Sequence, residues 1–144
     1  MREEPRIVVP DNNLEAFFPS VGTHMGAHRA TLKLYLHALN KICLLGCGTK
    51  WGNVVPHMHE GVVSRRDVMG WPEPWRVLIH TPYNCTLLCP DCNLGLNGKS
   101  PPSREKVFAW MLRLHGEDFL RWLESLPFKS HPAKGLIEQA RKVE

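Results

Sequence analysis

The chain has 144 residues, is 43% hydrophobic and carries a formal net charge of +4. That is enough apolar material for one compact core with tails, and too little for two independent domains. No stretch approaches the roughly 18 consecutive apolar residues of a membrane helix. The N-terminus also lacks a basic segment leading into an apolar run, so membrane and secretory classes are set aside and an intracellular, cytoplasmic location is expected.

In chain order, residues 1–25 contain Pro5, Pro10, Pro19, the Asn12–Asn13 pair and Gly22; they read as a loosely ordered arm. From Gly26 to Ile42, apolar residues recur at Leu32, Tyr35, Leu36, Leu39 and Ile42, the spacing of an amphipathic helix. Its other face offers His28, Arg29, Lys33, His37 and Lys41. Cys43 to Gly48 is a glycine-containing loop. Asn53 to His59 reads as a short strand, with Arg76 to His80 as its possible partner. Between them, Gly70 to Trp75 reads as a loop because it holds two prolines. A short helix is expected to begin at Leu94 to Leu96. Pro101–Pro102 then marks a boundary, and Ser103 is a good N-cap for a helix carrying Val107, Trp110, Met111 and Leu114. A second helix is expected over Glu117 to Leu126, and a last one over Pro132 to Lys142. The expected organisation is α+β: an arm over 1–25, a core over 26–100, and a helical extension over 101–144 packed on that core.

Charge is unevenly spread. Residues 26–66 hold six Lys and Arg against Glu60 alone, whereas residues 67–98 hold Arg76 against Asp67, Glu73 and Asp91. A basic half leading into a metal site suits a polyanion, because phosphate contacts release condensed counterions. A solvated mixed surface would give the same composition.

Five cysteines at paired spacing in an intracellular protein read as metal ligands before disulfides. Cys43, Cys47, Cys89 and Cys92 can supply four thiolates to one tetrahedral zinc, pinning two knuckles that lie far apart in sequence. A ligand set that includes a histidine or Cys85 is the other possibility; Cys85 reads more naturally as a small packed side chain. A four-thiolate site has no open position for water or substrate, so the ion would be structural and chemistry would happen elsewhere. His57, His59 and Glu60 cluster where a strand would end, and Asn84 and Asn93 bracket the second knuckle. A clamp joining the two halves would bring these five polar residues together. That is the equipment for phosphodiester hydrolysis: a base for water, a means of holding it, and oxygen or imidazole ligands for a divalent ion.

The run from Cys43 to Lys99 resembles an HNH endonuclease of the ββα-metal type. Asn84-x-x-Leu87-Leu88-Cys89-x-x-Cys92-Asn93 is similar to that family's second half, in its form with Asn as last ligand, and Gly98–Lys99 resembles its small-plus-basic tail. The resemblance implies a zinc-stapled ββα core with flanking helices. It implies that Asn84 orients the base and that Asn93 ligates a catalytic Mg2+ or Mn2+. The order His57–Met58–His59–Glu60 departs from the family's usual first half. His59 is favoured as the base, with Glu60 or His57 as the neighbouring metal ligand; the converse makes His59 the ligand and Glu60 the base. Substituting His59 or Asn84 is expected to abolish cleavage while sparing stability. Arg65, Arg66 and Lys99 are candidate nucleic-acid contacts. Trp110 and Trp122 read as core, and Trp71 and Trp75 as packing in preference to base stacking. The helical tail from Ser103 to Pro127 resembles that of phage-type HNH proteins. The expected function is therefore a DNA endonuclease, nicking or double-strand cleaving, that leaves a 5′-phosphate. The alternative is a zinc-stabilised nucleic-acid-binding module without catalysis.

Overall fold

A computed structural model describes residues 25–142. The expected N-terminal arm lies outside them apart from Met25, which opens the first helix. The elements run α1 (Met25–Leu39), β1 (His57–Glu60), α2 (Glu73–Arg76), β2 (Cys85–Leu88), α3 (Pro90–Leu94), α4 (Arg104–His115), α5 (Glu117–Ser125) and α6 (Lys134–Lys142), with 3-10 turns at Arg66–Val68 and Val77–Ile79. The fold is α+β. Its sheet is a single antiparallel pair, with His57 opposite Leu88 and Glu60 opposite Cys85, followed directly by α3. No helix of the described residues is long and apolar enough to cross a membrane.

Three elements differ from expectation. The strand begins at His57 instead of Asn53, and its partner is Cys85–Leu88, not Arg76–His80. Arg76–His80 instead ends a helical turn: Pro72 stands at the N-cap and Pro74 within the first turn, where a missing N–H costs nothing. The prolines thus start a helix in the segment read as loop. The helix expected at Leu94–Leu96 lies earlier, at Pro90–Leu94. Pro90 occupies its first turn and Gly95 closes it in the left-handed conformation (φ 71°), with Leu96 N–H donating to Asp91 O at 2.9 Å.

Two apolar clusters flank the sheet. Leu32 and Leu36 of α1 pack with Trp51, Met58, Leu87, Leu88 and four cysteines, Cys43, Cys85, Cys89 and Cys92. Trp51 is fixed there by its indole N–H, which donates to Asn40 O at 2.7 Å. The second cluster joins Val62, Val63, Val68, Ile79 and Tyr83 to Val107, Phe108, Met111, Phe119, Leu120, Leu123 and Ile137 of the C-terminal helices. Those helices therefore grip the chain as it leaves β1. At Gly61 a Cβ would lie 2.5 Å from Val107 Cγ1, so only glycine lets the strand end approach α4 so closely. Trp71 packs on Phe128 with ring centroids 4.7 Å apart, Trp110 and Trp122 are half-buried against the same cluster, and Trp75 is exposed. Ser103 caps α4 by accepting from Lys106 N–H at 3.2 Å.

His115, at the end of α4, meets Tyr83 edge-on at 4.7 Å. Burial pushes its pKa down to about 4, with the Pro82 backbone only partly opposing. The folded value is below the ordinary 6.5, so between those two pH values the unfolded chain binds the proton and the native chain does not. Stability is full above about pH 6.5 and is lost as pH falls toward 4; at pH 5 this one group costs about 2 kcal/mol. His115→Gln should flatten the decline of Tm between pH 7 and pH 5, measured by thermal melts of both proteins.

Candidate functional site

The Sγ atoms of Cys43, Cys47, Cys89 and Cys92 all lie within 4.8 Å of one another, and Cys47 and Cys89 are 3.7 Å apart. Four sulfurs about 2.3 Å from one tetrahedral ion would be roughly 3.8 Å apart, so the cluster can hold a metal such as zinc. The backbone builds it from both sides. Gly46 and Gly48 N–H donate to Cys43 O at 3.3 and 3.1 Å, closing the first knuckle. Cys89 N–H donates to Cys43 Sγ at 3.2 Å, and Cys92 N–H to Cys89 Sγ at 3.4 Å. A Cβ on Gly46 would sit 2.5 Å from Cys43 Sγ, so the turn is shaped to the sulfurs. Burial pushes the Cys43 thiol up and the Cys92 thiol up to about 12, whereas Thr49, whose hydroxyl lies 2.9 Å from Cys47 Sγ, draws Cys47 down to about 6. Collecting four such groups is costly unless a cation sits among them. Cys85 stays outside: it is buried on the sheet, its Sγ 3.5 Å from Ile79 O, as a packed residue would be.

The second knuckle places the polar residues. Asn93 follows Cys92 in α3, and its Nδ2 donates to His57 Nδ1 at 3.2 Å. His57 and His59 share one face of β1 by strand alternation, while Met58 packs into the zinc-side cluster. Burial pulls the His59 pKa below 6.5, opposed by the Glu60 charge and by a hydrogen bond with Asn93. Its Nε2 is buried with no hydrogen-bond partner. His57, His59 and Asn93 thus come together as expected, beside the clamp.

Glu60 does not join them. It falls on the opposite face, where Oε1 accepts from His80 Nε2 at 3.2 Å and Arg65 Nη2 at 3.4 Å. Burial alone would raise its pKa, but the His80 hydrogen bond and charge, with Arg65, hold the carboxyl at about 2. His57, His59 and Glu60 accordingly form no three-ligand group; among the described residues only the four cysteines do. Of the other expected contacts, Arg66 is exposed, and Lys99 lies against Cys47, whose sulfur raises the lysine's pKa.

Asn84 is fully buried, and its side-chain hydrogen bonds go to backbone, not to an imidazole. Its Oδ1 accepts from Val62 N–H (3.0 Å) and Val63 N–H (2.8 Å). Its Nδ2 donates to Val63 O (2.8 Å) and Ile79 O (2.9 Å). Any influence on His59 therefore passes through the backbone that follows β1. This corrects the expectation that Asn84 can be replaced without cost. Asn84→Ala strands two donors and two acceptors in the core; a loss of about 3 kcal/mol, or roughly 10 °C in Tm, is expected by differential scanning fluorimetry.

His80 was not anticipated from the sequence. It is wholly buried, and a single histidine before Thr81–Pro82 carries no spacing signal. No family model, curated protein or solved structure matches the chain.

Proposed function

We propose that the chain is a divalent-metal-dependent DNA endonuclease of the HNH type, its core clamped by a structural zinc at Cys43, Cys47, Cys89 and Cys92. The observation that carries this reading is His59 Nε2: a buried imidazole nitrogen, biased to the neutral form, unpartnered, and beside Asn93 and His57. A base must be neutral to accept a proton at physiological pH, and burial keeps His59 so.

In this reading His59 takes the proton of the attacking water at Nε2, and the Asn93 hydrogen bond holds the ring. Asn84 positions the strand end through the backbone of Val62 and Val63. Asn93, through its amide oxygen, would hold the catalytic ion with His57, whose Nδ1 would exchange the Asn93 amide for the metal; Glu60, committed to His80 and Arg65, is the less suited. Two donors of this kind, an amide oxygen and an imidazole, suit Mn2+ at least as well as Mg2+. When bound, the ion supplies stabilisation of charge on the phosphoryl oxygens. Arg65 and Arg66, on the turn after β1, would contact the strand backbone, and the P–O3′ bond breaks to leave a 5′-phosphate.

Supercoiled plasmid incubated with purified protein and Mn2+ or Mg2+ should be nicked or linearised, and EDTA should stop the reaction. One observation favours the alternative, a binding module without catalysis: Glu60, the carboxylate next to His59 in the strand, faces away from it and is taken by His80 and Arg65. A protein that shifts DNA in gels but cuts it with no divalent metal would establish that alternative.

A further inference from the structure

Opposite the His59 face, the sheet end carries a second cluster, built around Glu60. His80 Nε2 donates to the Glu60 carboxylate, and Arg65 reaches the same oxygen from the solvent side. The first turns of α1 lie over this corner. His28 Nε2 donates to His80 O at 2.6 Å, and the next residue, Arg29, lies close enough to Cys85 for its charge to lower that buried thiol's pKa, while Glu60 raises it. Cys85 is the residue directly opposite Glu60 in the sheet, so both charges bear on one end of the hairpin.

Arg29 differs from three other arginines of the chain, each of which has its acceptors. Arg76 donates to Trp71 O and Met69 O, Arg104 to Asp67 and Pro132 O, and Arg141 to Glu117 and Glu124. Arg29 Nε is buried and has no acceptor. Burying a guanidinium N–H with nothing to receive it is costly, and Glu60 is already taken by His80 and Arg65. The corner therefore sets two cations, Arg29 and Arg65, against the single Glu60 carboxylate, with an unused donor at Arg29, which is the chemistry that receives an oxyanion.

We propose that Arg29, held in place by the His28–His80 contact, is a phosphate-gripping residue that accepts a backbone phosphodiester of the DNA strand at the Glu60 end of the sheet. The inference rests on the nuclease reading. It adds that α1 belongs to the substrate-binding surface as well as covering the zinc-side core, with Arg29 and Arg65 flanking the strand.

The test is fluorescence anisotropy with a labelled duplex oligonucleotide in Ca2+, measured across a salt series for wild type, Arg29→Gln, Arg29→Lys and the surface control Arg121→Gln, with Tm for each. Arg29→Gln should bind roughly tenfold more weakly at moderate salt, with its log Kd against log salt slope reduced by about 1. Arg29→Lys should recover most of the slope, and Arg121→Gln should match wild type. Because the lost donor had no protein acceptor, Tm of Arg29→Gln should not fall. An unchanged slope in Arg29→Gln, or a Tm loss in both Arg29 variants, would make Arg29 a structural residue and overturn the inference, while wild-type cleavage left the nuclease reading standing. Wild-type protein that neither binds nor cuts DNA would remove both.

Discussion

Stripping the metal from the four-cysteine clamp is expected to unfold the zinc-side half of the protein. Cys43, Cys89 and Cys92 are buried in the same cluster as Leu32, Leu36, Trp51, Leu87 and Leu88, so a metal held by them would sit in the core. Binding of a structural zinc is worth on the order of 10 kcal/mol or more, which equals or exceeds the whole stability of a domain this size. Cys89 is the most exposed to this argument, since its sulfur also caps α3 by accepting from Cys92 N–H. Cys89→Ser should lose the zinc and lower Tm by at least about 15 °C, or leave the protein insoluble. Metal analysis of wild type should find about one zinc per chain, and removal by a strong chelator should abolish the cooperative melt. Gly46→Ala should act in the same direction, because its Cβ would fall against Cys43 Sγ. Zinc-free protein with an unchanged melt would show that the sulfurs are merely packed.

Replacing His59 should have the largest effect on activity. His59→Ala removes the base while leaving the thiolates, Asn84 and both apolar clusters untouched. General-base catalysis contributes typically 10²–10⁴-fold, so cleavage should drop by roughly that factor. Stability should change little, since Nε2 has no hydrogen-bond partner to lose and only the Asn93 contact goes with the ring. The pH profile gives an independent signature. Burial holds the His59 pKa below that of an ordinary histidine. The acid limb of the wild-type rate, where the ring takes a proton, should therefore lie at lower pH than a free imidazole would give. Single-turnover rates across that limb would show it. A rate still rising through pH 8 would point to a different base.

Local spacing made the helices and the knuckle legible. The periodicity of Leu32, Leu36 and Leu39, the Ser103 cap and the stop at Gly116 each act within one or two turns, and α1, α4, α5 and α6 lie close to where they read. The four-cysteine cluster was readable because two short spacings specify a tetrahedral donor set. The strand pairing was not. Cys85–Leu88 is buried on both faces and lies inside the knuckle motif, so its role as the partner of β1 had no alternating pattern to mark it. The prolines at 72 and 74 misled because a helix's first turn accepts the residue that its interior rejects. Within the site, His57, His59 and Asn93 followed from alternation along the strand and from the position after Cys92. The side on which Glu60 falls depends on His80, twenty residues away and joined to it only by the fold. Asn84 was read as the residue that orients the base, but its hydrogen bonds run to the backbone of Val62, Val63 and Ile79, which spacing does not show.

The most direct test of the account is conversion of supercoiled plasmid by zinc-loaded wild type and His59→Ala, side by side, with Mn2+ and with EDTA. The account predicts Mn2+-dependent nicking by wild type, none with EDTA, and at least a hundredfold slower conversion by His59→Ala at equal zinc content and equal Tm. Equal rates in the two proteins, or no conversion by either, would contradict it.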